Sequence, residues 1–177
     1  MRTNVLSLLG GFLLVASTAS AQEWTPIVEL QLSGYSEVPA LASPGSGRFL
    51  ARGSLDGTRI QWMLLYENLA GTVTQSHIHF GADGTNGGIS LFLCSNLGNG
   101  PEGTQACPAT STMESPVTGI ATAADVIGPS AQGIAAGELK KLIDAILAGK
   151  AYVNVHSSTY PSGEIRAQLP PGIPGRP

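Results

Sequence analysis

Short runs of alternating apolar and polar residues, separated by glycine-rich turns, constrain the fold of this chain most strongly. In the segment 60–66 the apolar residues recur at every second position, as Ile60, Trp62, Leu64 and Tyr66. Successive side chains on a β-strand point to opposite faces, so this period predicts a half-buried strand. The Asp56-Gly57 pair just before it is typical of a tight hairpin turn.

Comparable strand-like runs recur along the chain. They lie at 27–32, 48–55, 60–66, 73–79, 89–94, 117–120, 151–156 and 164–169. Helical spacing of apolar residues replaces this period at 139–147, where Gly149 follows as a C-terminal cap, and a shorter helical turn is predicted at 123–127. About eight mostly antiparallel strands with a short helical insertion predict an all-β fold, a β-sandwich or a Greek-key barrel.

The first 21 residues have the features of a secretory signal peptide. Arg2 precedes an apolar run at 5–15, and the small residues Ala19-Ser20-Ala21 form a cleavage site. Cleavage after Ala21 leaves one predicted domain at 22–169 and a proline-rich tail at 170–177 that we expect to be disordered. Since no later apolar run is long enough to cross a bilayer, we expect a secreted or periplasmic protein without a membrane span.

Composition excludes one class of partner. Charged residues make up 12% of the chain, and the formal net charge is −3. Without a basic patch the chain is not expected to bind nucleic acid. Low charge combined with 23 glycines is typical of an extracytoplasmic β-protein.

The chain has two cysteines, Cys94 and Cys107. In an exported protein an isolated pair predicts a disulfide, which would close the Gly-, Asn- and Pro-containing loop between them. A role for either cysteine as a metal ligand or nucleophile is the alternative that remains open at this point.

The three histidines, His77, His79 and His156, are the strongest candidates for chemistry. The first two form an H-x-H pattern within a predicted strand, which places both imidazoles on one face with their Cβ atoms about 6.5–7 Å apart. A third imidazole from a neighbouring strand would complete a site suited to copper or zinc. The alternative is structural, with each histidine hydrogen-bonding loop carbonyls at the rim of the sheet.

Several separated motifs, in order, resemble the CHRD (chordin-type) domain, in particular its single-domain secreted bacterial type. They lie at 34–39, at Gly47, at 77–79, at 151–156 and at 163–168. The resemblance covers nearly all of the predicted mature chain, and it implies an exported module without assigning a chemistry.

A second resemblance is to the copper-site motifs of copper–zinc superoxide dismutases. The stretch 77–87 is similar to their H-V-H-E-F-G-D-x-x-N-G segment, and Val155-His156 is similar to a later V-H copper ligand. Residues 163–166 resemble the segment whose arginine guides superoxide, which implies a catalytic role for Arg166. The metal-bridging histidine and the zinc ligands of those enzymes have no counterpart, so a zinc site of that type is excluded.

Two functional hypotheses follow from these patterns. The first is an exported protein that binds a metal ion, copper preferred and zinc as the alternative, through three histidines. It would have superoxide-dismutase-like activity on a small anion, with Arg166 attracting that anion. Simple pairing of Arg166 with its neighbours in the sheet is the competing interpretation for that residue. The second hypothesis is a non-catalytic extracellular binding or adhesion module.

Overall fold

The computed structural model of the protein describes Trp24 and residues 28–54 and 56–172. The predicted signal peptide 1–21 and the last residues of the predicted tail, 173–177, lie outside the described residues. So do Ile27 and Leu55, which the sequence pattern placed at the ends of the first two strands.

Eight strands and one α-helix make up the regular structure of the described residues. In chain order they are β1 (Val28–Ser33), β2 (Ser46–Gly53), β3 (Ile60–Glu67), β4 (Val73–Phe80), β5 (Gly88–Ser95), β6 (Val117–Ala121), α1 (Leu139–Leu147), β7 (Ala151–Ser157) and β8 (Ile165–Gln168). The predicted turn near 123–127 is a short 3-10 helix, Ala123–Asp125, with the Thr122–Asp125 capping pair formed. The all-β prediction with a helical insertion is therefore confirmed.

The strands form one antiparallel sheet that curls into a nearly closed barrel. Their spatial order is β5-β4-β7-β8-β1-β2-β3-β6. At the seam, the side-chain amide of Gln105 donates to Leu93 O of β5 at 3.1 Å and to Thr118 O of β6 at 3.0 Å. One side chain thus bridges the backbone of two edge strands that do not pair directly along their length.

The loop that carries Gln105 is closed by a disulfide between Cys94 and Cys107. The predicted pairing is therefore confirmed, and neither sulfur is a free thiolate ligand or nucleophile. Because the bridge ties the loop to the end of β5, it holds Gln105 at the barrel seam.

Apolar residues from nearly every strand form a single core. Helix α1 covers part of it with its buried residues Leu139, Leu142, Ala145 and Ile146. On its exposed side Lys140 pairs with Asp144, and Gly149 takes a positive φ of 66° just past the helix end. Among the described residues, no helix is long and apolar enough to cross a membrane.

Candidate metal centre

A buried polar layer lies on the face of β4, β7 and β8 that points away from the apolar core. On β4, His77 and His79 flank Ile78, which belongs to the core. On β7, Tyr152, Asn154 and His156 alternate in the same way with Val153 and Val155, which belong to the core. The H-x-H prediction of two imidazoles on one face is therefore confirmed.

Pairing of β4 with β7 brings the third histidine to the other two. His77 is opposite Asn154, and His156 is opposite Gln75, one step along the same face. The candidate ligand nitrogens of His77, His79 and His156 all lie within 4.8 Å of one another. One pair, His77 Nδ1 and His156 Nε2, is 3.1 Å apart.

These distances are close to what a shared ion requires. An ion about 2.0–2.1 Å from three nitrogens needs them roughly 3.3–3.6 Å apart. The 3.1 Å separation lies just below that range and the 4.8 Å limit lies above it, so small rotations of the rings would bring three nitrogens to a shared ion. All three side chains are buried, with exposed fractions of 0% for His77, 7% for His79 and 6% for His156.

Backbone carbonyls set the tautomers of two of the rings. His79 Nδ1 is 2.9 Å from Gly87 O, and His156 Nδ1 is 2.9 Å from Pro161 O. A carbonyl only accepts hydrogen bonds, so each Nδ1 carries the proton and donates. The Nε2 lone pair of each ring is thereby left available, which is how metal-binding imidazoles are commonly oriented.

His77 has a different arrangement. Because His156 Nε2 has no proton in this tautomer, His77 Nδ1 donates to it across their 3.1 Å contact. A bound ion would take Nδ1 as the third ligand with His77 in its other neutral tautomer, in which the proton is on Nε2. The His77 ring stands edge-on to Phe92, with centroids 4.4 Å apart, which fixes its plane.

Burial keeps the three imidazoles neutral. It lowers the pKa of His77 to about 2, with a further contribution from the two neighbouring histidines, and the pKa of His79 to about 4. The pKa of His156 is also lowered, again mainly by burial. Neutral imidazole is the form that binds metal ions, so the site has the required protonation state at neutral pH.

Tyr152 supports His79 from β7. The two rings stack with centroids 4.7 Å apart and planes within 1° of parallel. Its hydroxyl accepts from Gly87 N at 3.1 Å, so the same tyrosine also positions the carbonyl that orients His79. This role of Tyr152 was not identified from the sequence, and the period-two spacing 152, 154, 156 was the available signal.

Arg166, the predicted catalytic residue, is buried at the edge of the same layer. Its guanidinium carbon is 3.4 Å from the centroid of the Tyr152 ring. The guanidinium donates to Thr85 O at 2.8 Å and to Asn86 Oδ1 at 3.3 Å, so it ties β8 to the turn that follows the H-x-H. Tyr152 therefore lies in contact with both Arg166 and His79. None of the hydrogen bonds of Arg166 is to an imidazole.

Glu37, from the motif at 34–39, lies in the same layer. Burial raises the pKa of its carboxyl to about 7, although the positive charge of Arg166 and the amide of Asn154 act in the opposite direction. Its position depends on the loop after β1 folding over β8, which no local pattern in the sequence reveals.

An all-β domain with one disulfide and a buried cluster of three histidines defines the class of this protein. The family model for the CHRD domain matches residues 28–169. The chain belongs to the CHRD domain family, as its sequence motifs predicted. Comparisons with curated proteins and with solved structures gave no significant match.

Proposed function

We propose that this protein is an exported module that binds one transition-metal ion, preferably copper, through His77 Nδ1, His79 Nε2 and His156 Nε2. One observation carries the proposal, namely the convergence of three neutral imidazoles from two strands on one buried point. The structural alternative accounts for the Nδ1 contacts of His79 and His156. It does not account for His79 Nε2, which is buried without a hydrogen-bond partner, and such atoms are rare.

The ligand set favours copper over other ions. Imidazole suits copper and zinc, whereas calcium and magnesium require oxygen ligands. In the usual order of stability, a given nitrogen site binds Cu²⁺ more tightly than Zn²⁺. Zinc with three histidines and a water is therefore the competing occupant. The zinc-loaded protein is the direct comparison for the copper-loaded protein.

The proposed location follows from two features. The predicted signal peptide directs export, and the Cys94–Cys107 disulfide is of the kind that persists in oxidising compartments. Membership of a family of extracellular domains supports the same location. We therefore propose that the metal is acquired outside the cytoplasm.

Copper titration of the mature protein tests the metal site. The wild type is expected to bind one equivalent of Cu²⁺, and His79→Ala is expected to lose at least about 100-fold in affinity, since one of three ligands is removed. Thr74→Ala, on the same strand but outside the polar layer, is the matched control and should bind like the wild type. Because the chain has only three histidines, no other imidazole contributes background binding.

Equal and negligible copper uptake by the wild type and His79→Ala would contradict the metal site. The histidines would then serve the fold alone, and a non-catalytic extracellular binding or adhesion module would be the better description. Isothermal calorimetry with a competing chelator measures the affinities directly.

Superoxide-dismutase-like activity is the finer function that we propose for the copper-loaded protein. Dismutation converts two superoxide anions and two protons into O₂ and hydrogen peroxide, and a bound copper would supply the one-electron chemistry. The charge of Arg166 contributes to lowering the pKa of His79, so its field extends to the histidine cluster. A superoxide anion near the metal would be attracted by the same field.

A superoxide-consumption assay on wild type, Arg166→Lys and Arg166→Gln tests this activity. Removing the positive charge in Arg166→Gln is expected to lower kcat/KM about tenfold at low salt, with a smaller difference at high salt because the field is screened. Arg166→Lys keeps the charge and should retain more activity. Wild-type activity no greater than that of the same amount of free copper would contradict the enzymatic proposal while leaving metal binding intact.

A further inference from the structure

Unpartnered polar atoms are concentrated around the histidine cluster. Within the described residues, six buried side-chain nitrogen or oxygen atoms have no hydrogen-bond partner. Four of them belong to this layer, and they are His77 Nε2, His79 Nε2, Asn154 Oδ1 and Glu37 Oε1. Buried polar atoms are normally satisfied, so this concentration indicates a place where a polar ligand binds.

Asn154 lies at the centre of the layer. It pairs with His77 on β4 and with Arg166 on β8, and its side chain shares a face with both. Only 2% of Asn154 is exposed. Its amide is near enough to raise the pKa of His79, although neither Asn154 Oδ1 nor His79 Nε2 makes a hydrogen bond of normal geometry.

Glu37 lies where it can orient the side-chain amide of Asn154. Both side chains approach Gly163, where an added Cβ would lie 2.6 Å from Glu37 Oε1 and 2.9 Å from Asn154 Nδ2, although Glu37 Oε1 makes no hydrogen bond of normal geometry. The amide lowers the pKa of Glu37, as expected when Nδ2 faces the carboxylate. Since the two ends of an amide point apart, Oδ1 is turned away from Glu37.

We propose that Asn154 Oδ1 accepts a hydrogen bond from a water molecule bound to the metal at its fourth position, and that Glu37 holds the amide in that orientation. The inference rests on the proposed function, since it needs a metal held by the three histidines. An amide oxygen is a poor ligand for a metal that prefers imidazole, and a water on that metal is a strong donor. Asn154 is therefore a positioning residue for the exchangeable ligand.

Azide affinity of the Cu²⁺-loaded protein tests this role, because azide displaces a copper-bound water and shifts the visible spectrum. In Asn154→Leu, which has a similar shape and no acceptor, the water loses its hydrogen bond and the azide Kd should fall about tenfold. In Asn154→Asp the carboxylate holds the water more strongly and repels the anion, so the azide Kd should rise about tenfold or more. A merely structural role would move both variants in the same direction.

Glu37→Leu removes the group that orients the amide and should shift the azide Kd in the same direction as Asn154→Leu, by a smaller factor. If Asn154→Leu does not fold, the nearly isosteric Asn154→Asp still carries the test. Unchanged azide Kd values, or shifts of one sign in both Asn154 variants, would overturn the role of Asn154 and leave the proposed function standing. A loss of copper affinity in Asn154→Leu as large as that in His79→Ala would make Asn154 a ligand and also overturn it. No copper uptake by the wild type would overturn both proposals.

Discussion

Lowering the pH of the metal-free protein from 6.5 to 4.5 is expected to reduce its free energy of unfolding by about 3–5 kcal/mol. Burial lowers the pKa of His77 to about 2 and of His79 to about 4, and it also lowers that of His156. The unfolded chain takes up a proton at each imidazole as the pH falls through about 6.5, whereas the folded chain does not. Protonation therefore favours unfolding, and the stabilisation by the neutral imidazoles is fully present only above about pH 6.5.

Glu37 acts in the opposite sense. Its folded pKa is raised to about 7, so between pH 7 and 4.5 the folded protein binds the additional proton, and this group stabilises the fold as the pH falls. The expected loss is the sum of the histidine contributions after this offset. Glu37→Gln should accordingly make the loss steeper by about 2 kcal/mol.

Denaturant unfolding in the presence of a chelator at several pH values measures both effects. His79→Phe keeps a ring against Tyr152 and removes one titrating group, so its stability should fall less steeply over the same interval. A wild-type profile that is flat between pH 6.5 and 4.5, or one that His79→Phe leaves unchanged, would contradict the burial of neutral imidazoles.

Gly87→Ala is expected to cost about 4 kcal/mol or more of stability and to weaken copper binding at least tenfold. A Cβ at this position would lie 1.8 Å from Phe80 O and 2.6 Å from Phe80 C. Both are backbone atoms of the strand that carries the histidines, so the turn itself must move. The carbonyl of Gly87, which accepts from His79 Nδ1, would move with it.

Gly53→Ala is the matched control for this substitution. A Cβ there meets no atom closer than 3.9 Å, and the position lies on β2, which does not carry a histidine. Thermal unfolding and copper titration of the two variants should separate them clearly. Wild-type stability in Gly87→Ala would show that the turn is free to adjust and that its carbonyl does not orient His79.

The elements of this fold could be predicted because their patterns are local. The alternation in β3, the H-x-H of β4 and the apolar spacing of α1 each depend on fewer than ten residues. The disulfide followed from the presence of only two cysteines in a chain with a predicted signal peptide. In each case the prediction depends on residues that are close together in the sequence, or on two cysteines that have no other possible partner.

The candidate site could be predicted only in part because it depends on strand order. His156 reaches the H-x-H only because β7 lies beside β4. A single sequence contains no signal that two residues 79 positions apart lie on neighbouring strands. The carbonyls of Gly87 and Pro161 belong to the backbone, so no residue type marks them. The positions of Glu37 and Gln105 likewise follow from loops that fold over a finished sheet.

X-ray absorption at the copper edge, on wild-type protein loaded with one equivalent of Cu²⁺, tests the three-histidine site most directly. It should show three imidazole nitrogens at about 2.0 Å, together with a water oxygen that lacks the outer-shell scattering of an imidazole ring, and His79→Ala should show no more than two imidazoles. A wild-type spectrum with one imidazole or none would contradict metal binding by His77, His79 and His156.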